Sequence, residues 1–524
     1  MAGNTPHTDD VKQLHGMGYA QELSRRMSGF SNFAISFSII CILAGGITAF
    51  QLALSGAGGA GVGIGWPVGG LFAIIVALAM GQIASSYPTA GGLYHWSSIL
   101  GGRLWGWATA WFNLLGLIFV VSSVAAGAFI LFESLVLTGI FGIDTSGPAW
   151  VASGTGLPGW IWLLGVGIIL VSYAIFNHIG IRVTTLLTDF SGYLIFVVAI
   201  ALTLALIVFA LIAGQHLDFS RLFTFTNYTG DAGGGVWPQT SSILYAFVVG
   251  LLLVTYTVTG YDASAHTSEE THNAEVNVPR GMWQSVFYSV VFGYLMVAAF
   301  VLVMPSVADG AKQGANVFGW LMAASPMPAI VRDVLFIGIV VANYLCGLAG
   351  LTSTSRMMYA FSRDGGLPFS SALGQVSPKY RTPTIAIWVS AVLAFISVLY
   401  GQAFSVLVAG CAVFLYISYI MPVLAGLLAE GKAWKVKGPF NLGAISKPNA
   451  VLAILGGLVL VWVGFQPPNQ LVGYLIIGLI VFMAVFWLAR ERTRFAGPPQ
   501  GDQIAARQGA IAEIEARLEK GSAD

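Results

Sequence analysis

The stretch VTGYDASAHTSEETHNAEVNVPRG, residues 258–281, is the segment that decides the fold. It ends an apolar run that begins near Ser241 and is long enough to cross a membrane. The run contains the pair Thr259 and Gly260, and it is followed by four ionisable residues at helical spacing: Asp262, His266, Glu269 and Glu270. A purely structural membrane helix avoids both features, because glycine weakens a helix and a carboxylate in lipid is costly. The stretch therefore indicates a functional interruption of a membrane helix.

Composition places the chain among integral membrane proteins. Of its 524 residues 56% are hydrophobic and only 9% are charged, whereas soluble domains carry about 25% charged residues. The net charge of +1 and the scattered basic residues exclude a nucleic-acid surface. Cys41, Cys346 and Cys411 lie in apolar runs without the spacing of a metal site or a disulfide framework.

Twelve apolar runs have the length of about 20 residues that crosses a bilayer as an α-helix. They lie at residues 29–55, 66–85, 104–137, 159–178, 184–213, 241–267, 283–305, 330–361, 383–401, 403–429, 450–466 and 469–490. No run shows the ten-residue alternation of a membrane β-strand. We therefore predict an all-α integral membrane protein with twelve transmembrane helices.

Basic residues favour one orientation of these spans. With the N-terminus inside the cell, every one of the 23 Lys and Arg residues falls on the cytoplasmic side except Arg221, Lys312 and Arg332. The positive-inside rule therefore predicts cytoplasmic N- and C-termini in the plasma membrane. The N-terminal segment shows no cleavable signal pattern, so we expect the first span to be retained.

Two spans carry helix-breaking residues in matching places. Gly45 and Gly46 lie in the middle of the first span, and Thr259 and Gly260 lie in the sixth, five helices later. Such a pair of interrupted helices is typical of transporters built from inverted repeats, since unpaired backbone in lipid is tolerated only beside a cavity or ligand. Close helix packing is the alternative explanation for either glycine pair alone.

The motifs resemble a known family. GYDASAHTSEETHNAEVNVPRG (260–281), PTAGGLYHW (88–96), SRMMYAFSRDGGLP (355–368) and LHGMGYAQELSRRMSGFSNFAISFS (14–38) are similar to signatures of the amino acid/choline transporter family. That family belongs to the amino acid–polyamine–organocation superfamily and includes GABA permeases, and the resemblance covers residues 14–490. It implies a core of five plus five inverted helices with broken helices 1 and 6, followed by two more helices.

The resemblance also implies an organisation of the chain in five parts. These are a cytoplasmic N-terminal segment (1–28), a first repeat (29–213), a second inverted repeat (241–429), helices 11 and 12 (450–490) and a cytoplasmic tail (491–524). The tail contains IAARQGAIAEIEARLEK (504–520), which is typical of a short amphipathic helix. It is predicted to be either a solvated appendage or a contact for a partner or the lipid surface.

Substrate-binding residues follow from the resemblance at the two breaks. The first break implies that a substrate carboxylate meets the backbone of Ala44, Gly45, Gly46 and Ile47. The second implies that a substrate amine meets carbonyls of Thr257, Val258, Thr259 and Gly260. Tyr256 is expected to gate the site, or else to be a packed aromatic residue, and Asn113 to contact the substrate, or else to bond between helices.

The ionisable face after the second break has two interpretations. Asp262, His266, Glu269 and Glu270 share a helical face and are predicted to relay protons or to latch the inner gate. The alternative is a fixed hydrogen-bond network that anchors the helix to spans one and five. Nearer the cytoplasm, Glu269, Glu270 and Arg280 are expected to be loop and gate contacts rather than proton carriers.

Ion coupling depends on AGLTST (349–354), which resembles the eighth-helix motif of sodium-coupled symporters of the same fold. Carried over by position, the sodium ligands are Ile40, Leu43, Ala349, Thr352 and Ser353. Hydroxyls that bond to their own helix turn are the alternative, in which case proton coupling is expected. No other cofactor is predicted.

The sequence thus predicts a gradient-driven permease for an amino acid or amine such as GABA, coupled to sodium or protons. Alternatives are a choline or polyamine carrier and an amino acid exchanger; from other classes, a membrane-embedded enzyme and a channel are disfavoured. GLLAEGKA (426–433) lacks the final Ser or Thr of a phosphate loop, so no ATP site is expected. The predicted partners are a small-molecule substrate and the lipid bilayer, with no nucleic acid; the sequence leaves the oligomeric state open.

Overall fold

The computed structural model describes residues 6–151, 157–399 and 403–521. All named secondary-structure elements in those ranges are helices. In the first half of the chain the α-helices are α1 (Pro6–Gly16), α2 (Gly29–Ile40), α3 (Ile42–Thr48), α4 (Phe50–Gly63), α5 (Gly65–Ser86), α6 (Gly92–Gly101), α7 (Arg103–Leu131), α8 (Trp160–Ile179), α9 (Ile181–Ile212), α10 (Ile243–Gly250), α11 (Leu252–Thr257) and α12 (Ala263–His266). In the second half they are α13 (Ala274–Val303), α14 (Val307–Lys312), α15 (Val317–Ala324), α16 (Ala329–Arg363), α17 (Ser370–Leu373), α18 (Thr384–Ser397), α19 (Ala403–Ala429), α20 (Ser446–Gly464), α21 (Gln470–Phe486), α22 (Arg492–Arg494) and α23 (Asp502–Gly521). Short 3₁₀ turns lie at Phe219–Phe223, Asp231–Gly233, Ser268–Glu270, Gly314–Asn316 and Gly443–Ile445, and π-helical turns at Phe132–Thr138 and Trp487–Glu491.

The helices confirm an all-α membrane protein. Ten of them in the described ranges are long and apolar enough to cross a membrane, and the predicted sixth and ninth spans hold the shorter apolar helices Ile243–Thr257 and Thr384–Ser397. The helices α8, α9, α20 and α21 expose most of their apolar residues, as lipid-facing helices do, whereas α2, α3 and α7 are almost wholly buried. The count of twelve stays a prediction, and the predicted end of the ninth span at 401 lies outside the described residues.

Helices five spans apart pack against each other. The contacts pair α3 with α11, α5 with α13, α7 with α16 and α8 with α18, which are spans 1 with 6, 2 with 7, 3 with 8 and 4 with 9. A chain made of two related five-helix units produces this pairing, so it supports the predicted repeats without fixing their boundaries.

The first helix break lies four residues before the predicted position. The helix ends at Ile40, and Cys41 has φ 21° and ψ 84°, outside the helical region. Gly45 and Gly46, predicted to be unwound, lie inside α3. A Cβ on Gly45 would lie 2.8 Å from the Thr257 Cα, so this glycine permits close approach of two backbones.

The second break lies where it was predicted. The helix α11 ends at Thr257, and α12 begins only at Ala263. Between them Gly260 has φ 88°, a left-handed conformation that residues with a Cβ rarely adopt. The side chain of Ile39 occupies the space where a Cβ would stand, so both sterics and backbone geometry require glycine here.

The N-terminal segment and α23 pack against each other at one end of the helix bundle. We call this end, which carries α1 and α23, the terminal face. The Glu515 carboxylate of α23 lies 2.8 Å from His15 Nε2 and accepts a hydrogen bond from the Gln21 N–H. Ile511 and Leu518 of the same helix are buried. The tail helix α23 therefore packs on the N-terminal segment through a few residues, while most of its other described side chains are exposed.

Candidate functional site

A small enclosed cavity lies between the two helix breaks. It is lined by Ile39, Ile40, Ala44, Gly45, Val120, Ser123, Val124, Tyr256, Thr257, Thr259, Cys346 and Cys411. Its volume of about 20 Å³ holds about one water molecule, so the chain is closed around this position. None of the lining side chains carries a full charge at neutral pH, so recognition of a charged group here falls to backbone and hydroxyl groups.

The helix ends at the cavity present opposite partial charges. At the start of α3 the N–H groups of Ala44 and Gly45 bond to the Cys41 carbonyl, which leaves those of Ile42 and Leu43 outside the helix's own ladder. At the end of α11 the Val258 N–H bonds to the Val254 carbonyl. The three carbonyls that follow in that helix have no partner within the helix itself. An anionic group is favoured at the first end and a cationic group at the second.

Five of the predicted substrate-binding residues line the cavity: Ala44, Gly45, Tyr256, Thr257 and Thr259. The Tyr256 hydroxyl donates to Ser123 Oγ at 3.3 Å, which fixes the ring at the cavity wall. The other five do not line it: Gly46, Ile47, Asn113, Val258 and Gly260. Gly46 faces Met296 instead, since a Cβ there would lie 2.9 Å from the Met296 Cε.

Two tyrosines of α19 form hydrogen bonds with the unwound backbone of the second break. Neither was predicted from the sequence. The Tyr416 hydroxyl donates to the Val258 carbonyl at 3.1 Å, and the Gly260 N–H donates to the Tyr419 hydroxyl at 3.0 Å. Buried backbone groups require such partners. Val258 and Gly260 therefore bind the protein itself. An aromatic pair one helical turn apart in the tenth span was the only available signal.

Asp262 is fully buried and has a partner on each of three sides. Its carboxylate accepts from Asn113 Nδ2 at 2.9 Å and from the Tyr419 hydroxyl at 2.8 Å, and it lies 3.2 Å from His266 Nε2. Asn113, predicted to contact substrate, instead connects Asp262 to Ser418, so its alternative role between helices is the one observed. The geometry unites Asp262 and His266, as their spacing predicted.

Glu269 and Glu270 form two buried ion pairs on the terminal side of this network. Arg363 donates to both oxygens of Glu269 at 2.9 and 3.0 Å. Arg356 donates to both oxygens of Glu270 at 3.1 and 3.2 Å. Bidentate pairs of this kind are the stronger type of charged hydrogen bond, and these two join the segment after the second break to α16.

An aromatic and acidic cluster covers these pairs at the terminal face. The Tyr19 ring lies 3.9 Å from the Arg363 guanidinium carbon, and the Tyr19 and Tyr94 hydroxyls both donate to Asp364 Oδ2. Burial raises the pKa of Asp364, against the opposing effect of Arg363. Burial also lowers the pKa of His95 to about 3, so this imidazole is neutral at physiological pH.

The predicted sodium ligands are only partly brought together. Leu43 lies inside α3, so its carbonyl is not part of the break as expected, while Ile40 ends α2. The Thr352 hydroxyl lies 2.7 Å from Asn177 Oδ1 and 3.1 Å from the Leu348 carbonyl. The buried Ser353 Oγ has no partner in the described ranges. Ala349 is buried in the same unbroken helix.

Two interrupted helices whose polar ends meet at an enclosed cavity, deep within membrane-length helices, define the class of membrane carriers. The amino acid permease family model matches residues 27–487. The chain is 34% identical to the amino-acid permease BAT1 of Arabidopsis thaliana over 514 residues, covering 93% of this chain and 95% of that one. It is 34% identical to the BAT1 homolog of Oryza sativa subsp. japonica (95% and 96% covered) and 27% identical to amino-acid permease 2 of Neurospora crassa (95% and 91% covered).

The chain therefore belongs to the amino acid permease family of the amino acid–polyamine–organocation superfamily. It is a multi-pass membrane transporter for amino acids rather than an enzyme, since its relatives are permeases.

Proposed function

We propose that the chain carries a zwitterion, such as GABA or a neutral amino acid, by alternating access around the cavity between the two breaks. The observation that supports this most is the opposition of an α3 N-terminus and an α11 C-terminus across a cavity without charged side chains. A carboxylate and an ammonium group on one small molecule match these two ends. A polyamine would need acidic side chains in the cavity wall, and none of the lining residues is acidic.

Cavity volume implies that transport requires the surrounding helices to part. A space for about one water is too small for an amino acid, so the structure represents a closed conformation. We take the terminal face as cytoplasmic, in the plasma membrane, because all Lys and Arg residues except three fall on that side. Opening toward this face must separate Arg363 from Glu269 and Arg356 from Glu270.

Proton coupling at Asp262 and His266 is favoured by their hydrogen bonds. His266 Nδ1 lies 3.1 Å from the Ala90 carbonyl, which can only accept, so this nitrogen carries a proton. The 3.2 Å contact between Nε2 and the carboxylate then needs a second proton between the two groups. Loss of that proton would leave a lone pair facing a carboxylate, which is unfavourable in a buried site.

Tyr419 connects this proton to the second helix break. Its hydroxyl donates to Asp262 and accepts from the Gly260 N–H of the break. A change in the charge of the carboxylate changes the strength of its hydrogen bond with Tyr419. Because Tyr419 also binds the Gly260 N–H, the stability of the unwound segment changes with it. Sodium is the second candidate ion, favoured by the buried Ser353 hydroxyl, which has no hydrogen-bond partner among the residues that the structure describes.

Uptake into proteoliposomes tests cargo and ion together. Radiolabelled GABA and a panel of neutral, acidic and basic amino acids are offered with an inward proton gradient, with sodium present or replaced by choline. We expect saturable accumulation of a zwitterion that a protonophore abolishes and that sodium replacement leaves unchanged. Accumulation that requires sodium and ignores the proton gradient would instead support the Ser353 site, and exchange without net accumulation would support an exchanger.

A further inference from the structure

A groove on the outer surface lies between the inner half of the first span and two other helices. Gly29, Phe30 and Phe33 of α2, Phe196 of α9 and four residues of α13 line it: Asn277, Arg280, Gln284 and Tyr288. The groove has a volume of about 460 Å³, far more than the cavity between the breaks. Exposed rings of Tyr193 and Phe287 flank the same surface, as on a face that contacts lipid.

The groove is polar at one end and aromatic at the other. Asn277, Arg280 and Gln284 lie on one face of α13, within the three turns nearest the terminal face. Deeper along the same face, Tyr288 meets Phe33 and Phe196 with ring centroids 6.0 Å apart in both pairs. From residue 277 to 288 the helix rises about 16 Å, which is the distance from the headgroup region into the upper acyl chains.

Arg280 is the only charged side chain that lines the groove. It is exposed and makes no ion pair or hydrogen bond to any residue that the structure describes. The nearby carboxylate of Asp189 is bound by the Ser31 hydroxyl at 3.0 Å and does not line the groove. An unpaired guanidinium at the polar end of an otherwise largely aromatic groove matches a phospholipid, which carries a phosphate at one end and acyl chains at the other.

We propose that this groove binds one anionic phospholipid, with its phosphate on Arg280 and an acyl chain along Phe33, Phe196 and Tyr288. The groove opens on the lipid-facing surface, so its occupant is a lipid, and the charge of Arg280 selects an anionic headgroup. The lipid contacts α2, the segment that ends at the first break, and therefore connects membrane composition to the position of that helix. The site is independent of the cargo and of the coupling ion.

Native mass spectrometry of the full-length chain, released from detergent, tests the site. Phosphatidylglycerol and phosphatidylcholine with the same acyl chains are titrated, and the first bound lipid is quantified. We expect phosphatidylglycerol to bind about fivefold more tightly, because one arginine near a lipid surface contributes about 1 kcal/mol. The Arg280→Gln variant should lose this preference.

The matched control is Arg492→Gln, which removes an exposed arginine at the same end of the bundle but outside the groove. Arg492→Gln should keep the preference for phosphatidylglycerol. Tyr288→Ala should weaken the binding of both lipids by the same factor, so that the preference for phosphatidylglycerol remains. An unchanged preference in Arg280→Gln would overturn the proposal. Displacement of the lipid by millimolar glycerol phosphate would overturn it too, since the site would then bind a free phosphate. Unfolding temperatures in detergent should match wild type for both arginine variants.

Discussion

Asp262 combines complete burial with hydrogen bonds to three helical segments of the protein. Asn113 reaches it from α7, Tyr419 from α19 and His266 from α12, the short helix that directly follows Asp262. A carboxylate held only for structure can be replaced by an amide of the same shape, whereas a carboxylate that exchanges a proton cannot. This difference separates the two roles that the spacing of Asp262 and His266 allows.

The substitution Asp262→Asn tests the proton role. The amide keeps the size of the side chain, yet it cannot take up the proton between the two groups. We expect proton-driven accumulation to fall at least tenfold, while exchange of labelled for unlabelled cargo persists across the membrane. Equal loss of both activities with a lowered unfolding temperature would show that Asp262 is an anchor only.

His95 provides a pH-dependent term in stability. Its folded pKa of about 3 lies below the ordinary value of about 6.5, so below pH 6.5 the unfolded chain binds a proton that the folded chain does not. Stability therefore falls as the pH falls, by about 2 kcal/mol between pH 7 and pH 5 from this group. In His95→Gln we expect a smaller drop in unfolding temperature over that range; an unchanged drop would contradict the assignment.

At the scale of helices, the first span shows what the sequence could and could not predict. Glycines in the first and sixth spans correctly identified two broken helices, and Gly260 marks its break directly. In the first span the break lies at Cys41, and Gly45 instead allows α3 to approach Thr257. A glycine in the sequence indicates that a small residue is needed. It does not indicate whether the local backbone conformation or the close approach of another helix requires it.

The substitution Gly45→Ala measures this close approach. The new methyl group would lie 2.8 Å from the Thr257 Cα, which is backbone and cannot rotate away. Overpacking of this kind costs about 1–3 kcal/mol, so we expect a lower unfolding temperature and loss of uptake. The control Gly478→Ala in α21 meets no atom within 4 Å and should behave as wild type.

The two ion pairs at the terminal side connect the segment after the second break to α16. In Glu269→Gln the bidentate pair with Arg363 is weakened, so the closed state loses part of its stabilisation. We expect faster reaction of Cys346 and Cys411, which line the cavity, with a water-soluble maleimide added at the terminal face. The control Lys312→Gln weakens an exposed pair on a different helix, and equal rates in both variants would argue against a gate.

Across the whole molecule, the parts of the fold that follow from hydropathy were predicted and those that follow from packing were not. Long apolar runs fixed most of the helices, because lipid imposes length and composition on each helix separately. The pairing of Tyr416 and Tyr419 with the second break depends on contacts between distant helices, as does the packing of α23 on the N-terminal segment. A local sequence pattern, such as the aromatic pair in the tenth span, does not identify the distant segment that it contacts.

At the scale of the whole molecule, we propose that the cargo binds in the cavity between the two helix breaks. That cavity contains two native cysteines, Cys346 and Cys411, so the protein carries its own probes. The most direct measurement is the rate at which maleimide labels each of them, read by mass spectrometry, with and without a saturating transported amino acid. We predict that the transported amino acid slows labelling of both cysteines at least fivefold, while an amino acid that is not transported has no effect. Labelling rates that stay the same at saturating cargo would contradict this location of the binding site.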